Sequence, residues 1–308
     1  MLHHHHLRAV SLTPNYGLTW TERTGPGVQY WASLASAGDG VKLVAGSNNG
    51  YLWTSADSGA TWTSRTAPGT RFWYGVAASA DGTKMAAAPS YAAIYTSADS
   101  GATWTARTAS GSRSWTSIAS SSDGGKLAAV GLSIAVYTSA DSGATWTART
   151  ASGSRDWKKI ASSADGVKLV AAPSGATLYT SADSGATWTS RTASGSRSWT
   201  AVASSSDGVN LVATADAGYI YTSADSGATW TERTTSGSRA WRNVASSADG
   251  VNLVASVDSG YIYVSADSGA TWTERTAAGS RVWMALASSS TGAKLVAGND
   301  GGYLYTSP

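Results

Sequence analysis

The chain has 308 residues, a formal net charge of +3, four histidines and no cysteine. Without cysteine there are no disulfides, thiolate metal sites or cysteine nucleophiles. His3 to His6 form a run that reads as an expression tag, so the remainder has no imidazole for a Ser-His-Asp triad or a His-ligated metal.

Charged residues make up only 13% of the chain, about half the usual share, and Ser, Thr, Gly and Ala dominate. That hydroxyl-rich texture is associated with secreted or periplasmic proteins, and a signal peptide is not present in the sequence. No basic run tracks a phosphate backbone, so nucleic acid is not an expected partner. No apolar stretch reaches the ~18 residues of a membrane span. No cofactor and no metal is expected, and the chain reads as a monomer.

Along the chain, residues 1–10 read as a leader and residues 11–308 as one domain. Trp20, Trp62, Trp104, Trp146, Trp188, Trp230 and Trp272 return every 42 residues. Trp31, Trp73, Trp115, Trp157, Trp199, Trp241 and Trp283 keep the same step, leaving Trp53 outside both series. Such a period means that each unit buries its apolar face only against its neighbours.

One unit shows its parts. Trp115 to Ser120, Lys126 to Val130, Ala135 to Ser139 and Thr145 to Thr150 are strand-length segments separated by Gly, Asp and Ser turns. Four antiparallel strands repeated in this way predict an all-β, seven-bladed β-propeller. The blades fall at 31–66, 73–108, 115–150, 157–192, 199–234 and 241–276. The last takes 283–307 plus 19–24, because the chain ends after a third strand and the missing outermost strand is Thr19 to Thr24. An N-terminal strand thus closes the ring and removes two open edges.

The octet Ser55-Ala56-Asp57-Ser58-Gly59-Ala60-Thr61-Trp62 recurs in six blades, giving Asp57, Asp99, Asp141, Asp183, Asp225 and Asp267. Thr13, Asn15, Gly17 and Trp20 form a degenerate seventh copy. The pattern Ser-x-Asp-x-Gly-x-x-Trp resembles the Asp-box, or bacterial neuraminidase repeat, of sialidases, sortilin-type receptors, xyloglucanases and photosystem II assembly factors. The resemblance implies a propeller and no particular activity. It also implies that the box aspartates are structural, since in sialidases they lie away from the active site. One carboxylate beside Ser and Gly falls short of a calcium cage.

Function is expected on the opposite face, in the blade connections and the loops between second and third strands. The connections place Arg113, Arg155, Arg197, Arg239 and Arg281 two residues before a Trp, with Arg71 and Gln29 in variant copies. Two readings stand: a guanidinium packed near its own Trp, or a ring of platforms for sugars and anions. In the loops, Asn48, Asp216, Asp258 and Asp300 are equivalent, each followed by Gly and then Tyr51, Tyr219, Tyr261 or Tyr303. The other blades carry Ser90, Leu132 and Ser174. Either these are hairpin turns, or the four contiguous blades form a polyol-binding arc facing one lined by Tyr91, Leu132 and Ala176.

Near-identical blades supply the same residues repeatedly, whereas an enzyme needs distinct residues in distinct roles. The expected function is a non-enzymatic binding propeller for glycan or protein, with multivalence from repetition. Two alternatives stay open: an inert, engineered or recently amplified scaffold, and a glycoside hydrolase using loop aspartates. Sialidase chemistry fits less well, because Glu22, Glu232 and Glu274 fall on outer strands.

Overall fold

The computed structural model describes residues 16–308; the histidine run, Thr13 and Asn15 lie outside the described residues. It is a seven-bladed β-propeller of four-stranded antiparallel blades. Blade 1 comprises Trp31–Ser36, Leu43–Ser47, Leu52–Ser55 and Thr63–Arg65 in spatial order. Blade 7 comprises Trp283–Ser288, Leu295–Asn299, Leu304–Ser307 and then Thr21–Arg23, which pairs with the third strand through Thr21↔Thr306, Glu22↔Tyr305 and Arg23↔Leu304.

A second closure runs through the backbone. The amide of Gly38 donates to the carbonyl of Ala80, Ala80 to Ser122, Ser122 to Ala164, Ala164 to Ser206, Ser206 to Ala248, Ala248 to Ser290, and Ser290 back to Gly38, at 2.7 to 2.8 Å. These residues occupy one repeat position, the turn after each innermost strand. Seven blades are therefore joined in an unbroken circle of backbone hydrogen bonds.

The core lies between blades. One cluster joins Val170, Ala172 and Leu178 of blade 4 to Trp199, Val202, Leu211 and Ala213 of blade 5, so no blade completes its core alone. The second tryptophan series supplies the largest buried side chains, all at most 1% exposed. Truncating one to Ala would cost about 3–5 kcal/mol. Trp31, Trp73, Trp157 and Trp199 also donate Nε1 to a carbonyl of the preceding blade, Trp73 to Gly50 at 3.0 Å.

The fourth strands are shorter than their β-propensity predicts. In blade 3 the strand is Thr147–Arg149, because Thr145 is held in the preceding turn by Asp141 and the chain then enters a 3₁₀ turn at Thr150–Ser152. The Ser152 hydroxyl fixes that turn, donating to the Arg149 carbonyl at 2.8 Å and accepting the Val136 amide at 3.0 Å. The tight Asp-Gly turns need glycine for two reasons at Gly82: its φ is +65°, and a Cβ there would come within 2.7 Å of Lys42 Cβ in blade 1.

Candidate functional site

The two faces of the ring differ in chemistry. On one, Ser58, Ser100, Ser142, Ser184, Ser226 and Ser268 each donate an amide to the turn between first and second strands, Ser58 to Val41 at 2.9 Å. The octets and the Asp-Gly turns therefore share this face. Within an octet, Asp57 Oδ1 accepts the Ser55 hydroxyl and the Thr61 amide, both at 2.8 Å, and Oδ2 accepts the Thr61 hydroxyl at 2.6 Å. Trp62 covers the turn, donating to the Gly59 carbonyl at 3.0 Å.

The same bonds recur at Asp99, Asp141, Asp183, Asp225 and Asp267. Hydrogen bonds to the charged form, led by the threonine hydroxyl, pull Asp99, Asp141, Asp183 and Asp225 down to about 2. Among the described residues, no group of three or more His, Cys, Asp or Glu is placed to hold a metal ion.

The opposite face holds the blade connections and the second-to-third-strand loops, locked together by backbone bridges such as Gly50↔Arg71 and Gly218↔Arg239. Here the packing partner of the arginines differs from the tryptophan expected from their two-residue spacing. Arg113, Arg155, Arg197, Arg239 and Arg281 lie over Tyr137, Tyr179, Tyr221, Tyr263 and Tyr305, at 4.5, 4.5, 4.4, 4.8 and 4.8 Å. Each tyrosine in turn meets its blade's inner tryptophan edge-on, Tyr137 and Trp115 at 5.4 Å. Tyrosine intervenes because the third strand, lying further out, brings its ring up beside the first.

This explains the odd tryptophan. Trp53 holds the tyrosine position of blade 1, 6.3 Å from Trp31, and Gln29 holds the arginine position. In blades 5 to 7 the stack gains an acid: Tyr221, Tyr263 and Tyr305 donate to Glu232, Glu274 and Glu22. Burial, with the carboxylate bond second, pushes Tyr263 and Tyr305 up to about 12.

The loop residues make regular turns. The amides of Asn48, Asp216, Asp258 and Asp300 donate to the carbonyls of Tyr30, Ser198, Ala240 and Val282, and the next residue is left-handed in all four. Ser90, Leu132 and Ser174 donate in the same way, and Tyr91, Ser133 and Gly175 carry the same positive φ. The turn therefore forms without the acid. Asp216 and Asp300 are exposed, Asp258 faces Arg242 at 3.9 Å, and Tyr51, Tyr219, Tyr261 and Tyr303 are half-buried.

More distinctive is a set that joins Tyr91 and Leu132, of the arc already read from the sequence, to Tyr30, Phe72 and Tyr74, which repeat equivalence does not pick out. Tyr30, Phe72, Tyr74, Tyr91 and Leu132 are exposed apolar side chains on blades 1 to 3 of this face. Phe72 and Tyr74 flank Trp73 and stack at 6.2 Å with 17° between planes. Tyr74 sits at a β-bulge between Trp73 and Gly75, and the same bulge carries Lys158 in blade 4 and Arg242 in blade 6. A bulge re-aims its side chain, which frees this position to vary while the tryptophan before it is constant. The signal in the sequence was departure from the repeat immediately before and after each inner tryptophan. Beside Lys158, burial alone pushes Lys159 down to about 8.

No protein-family model matches the chain, and no curated protein matches it significantly. Among solved structures, YCF48 from Cyanidioschyzon merolae superposes with a TM-score of 0.71 at 17% identity, over 94% of this chain and 98% of that one. The likeness is one of fold. YCF48 bound to a D1 peptide gives a TM-score of 0.72 at 17% identity, over 93% and 96%. The GH74 xyloglucanase from Xanthomonas campestris gives 0.69 at 17% identity, over 92% of this chain and 53% of that one. This chain thus spans about half the length of the xyloglucanase. No helix among the described residues is long and apolar enough to cross a membrane.

Proposed function

We propose that the protein is a non-enzymatic binding propeller that captures an apolar segment of a protein partner on blades 1 to 3 of its loop face. The observation that carries this reading is the stacked, exposed pair Phe72 and Tyr74, with exposed Tyr30, Tyr91 and Leu132 on the same three blades. Aromatic anchors dominate the energetics of interaction sites, and the Phe72–Tyr74 stack presents two exposed rings side by side. Lys158 adds positive charge on the innermost strand of blade 4. A neighbour in fold, YCF48, has been solved with a peptide bound, which supports a peptide over other ligands.

Catalysis is not part of the proposal. The three Tyr–Glu pairs bury their phenols under arginines and raise the phenol pKa, opposite to what a tyrosine nucleophile needs. The loop aspartates recur as parts of equivalent turns on separate blades and have no distinct roles.

A peptide array read with the labelled full-length chain tests the reading. Sequences rich in aromatic and aliphatic residues are expected to bind, and the Phe72→Ser, Tyr74→Ser, Tyr91→Ser variant to bind them at least tenfold more weakly at an unchanged melting temperature. Binding confined to a glycan array, or turnover of fluorogenic glycosides, would replace this reading with a lectin or a glycosidase.

A further inference from the structure

On the octet face, neighbouring blades leave a cleft between them, and one of these clefts is already filled by the protein itself. By the 42-residue period, Tyr16 stands where Ser226 and Ser268 stand in earlier blades. Its ring enters the cleft between blades 6 and 7 and packs against the core cluster that contains Val254, Val264 and Leu295. Its hydroxyl donates to the Ser265 carbonyl, and burial raises its pKa.

Between blades 5 and 6 the same cleft is open, with a cavity of about 180 Å³ lined by 14 residues that include Leu211, Thr222, Ser223, Arg233, Leu253 and Ser268. Moved on by 42 positions, only two of the 14 change, Thr222 to Val264 and Ser268 to Tyr16. The first change alters little: Thr222 turns its hydroxyl to Arg233 Nε at 2.7 Å and lays its methyl beside Gly269, as Val264 lays one beside Gly17. The second change is the ring itself. The open cleft is the filled one without its phenol.

The mouth also separates this cleft from others. Asn210 caps it, as Asn252 caps the filled one, whereas Lys84, Lys168 and Lys294 occupy the matching place in blades 2, 4 and 7. There the ammonium reaches across to a serine hydroxyl of the next octet, at 3.3, 3.4 and 3.2 Å. Asn210 instead donates to the Asp249 carbonyl at 3.0 Å.

We propose that the cleft between blades 5 and 6 is a binding site for a small phenol. The ring lies between Leu211 and Leu253, where Tyr16 lies one blade further on, and the hydroxyl donates to the Ser223 carbonyl beside Arg233. A cavity of roughly 150 Å³ is enough to hold benzene, and a ligand this small binds with a Kd on the order of millimolar.

Titration of the full chain with 4-fluorophenol, followed by fluorine NMR, tests the site. Saturable binding is expected, with fluorine-to-methyl NOEs to Leu211 and Leu253 that locate the ring without any substitution. Ser268→Tyr, which supplies the ring covalently, is expected to abolish that binding. Tyr16→Ala is expected to add a second site and to have its lowered melting temperature raised by 4-fluorophenol more than the wild type's. Absence of saturable binding to the wild type overturns the proposal, even where Tyr16→Ala is rescued, as do NOEs to residues outside the cleft or binding unchanged in a folded Ser268→Tyr.

Discussion

The guanidinium of Arg113 lies 4.5 Å over the ring of Tyr137, tying the chain that enters blade 3 to that blade's third strand. The contact recurs in six blades and fails in blade 1, where Gln29 and Trp53 hold the two positions. Gln29→Arg should therefore stabilise the protein by roughly 0.5–1 kcal/mol, since an indole is the best ring for a cation. The existing anchor is retained, because Gln29 bonds the Pro26 carbonyl as Arg71 bonds that of Pro68. Arg113→Met should destabilise by a similar amount. Each change moves the melting temperature by about 1–4 °C in a domain of this size; a Gln29→Arg variant that melts below wild type contradicts the account.

That contact also shows where sequence reading stops. The tryptophan period and the unfinished last blade are local patterns, and they specify blade number and the closing strand directly. The partner of Arg113 is 24 residues away on another strand, so a two-residue spacing pointed to Trp115 instead. The joint departure of Gln29 and Trp53 in one blade was the signal for it. Phe72 and Tyr74 were hidden differently, since next to a repeated Trp they read as ordinary strand residues until the bulge turned Tyr74 outward. Tyr16 was legible only as an imperfect octet, because the cleft it fills belongs to two blades.

The octets predict acid sensitivity. Asp99, Asp141, Asp183 and Asp225 sit at about 2 in the fold, below the ordinary 3.8. A carboxyl lowered by folding contributes stability that is fully present above its ordinary pKa and lost as pH falls through the folded value. Stability should hold from neutrality to about pH 4 and decline between about pH 4 and pH 2. Asp141→Asn should flatten part of that decline, because the amide carries no titrating charge. A thermal-melt series in which wild type and variant fall in parallel would assign the acid loss elsewhere.

Closure makes a separate prediction. The strand Thr21–Arg23 covers the edge of Leu304–Ser307, Arg23 Nε bonds Thr306 Oγ1 at 2.8 Å, and Tyr16 fills the cleft beside it. Deleting residues 1–24 removes all three and leaves an unpaired edge strand, which templates association. The shortened chain should melt at lower temperature and elute partly as oligomers in size-exclusion chromatography. Unchanged melting and a monomeric profile would mean that the ring of amide bonds through Gly38 and Ser290 suffices alone.

Lys159 tests whether the departures from the repeat were kept at a cost to stability. Its counterparts are Ser33, Gly75, Ser117, Ala201, Asn243 and Ala285, all smaller and uncharged, and burial pushes its ammonium from 10.5 down to about 8. Below pH 8 the fold must hold a desolvated cation. Between pH 8 and 10.5 the folded chain has released a proton that the unfolded chain still binds, so stability attributable to this residue rises with pH. Lys159→Met removes the charge and keeps much of the volume. Each tenfold loss of proton affinity on folding costs about 1.4 kcal/mol. Because the side chain is only half-buried, the penalty is smaller than the full drop implies, and the variant should be more stable by roughly 1–3 kcal/mol at pH 7. The advantage should shrink towards pH 10.5, as read by urea unfolding of both proteins at each pH. A gain that is the same at both pH values would come from packing, and no gain at pH 7 would show that the ammonium reaches water.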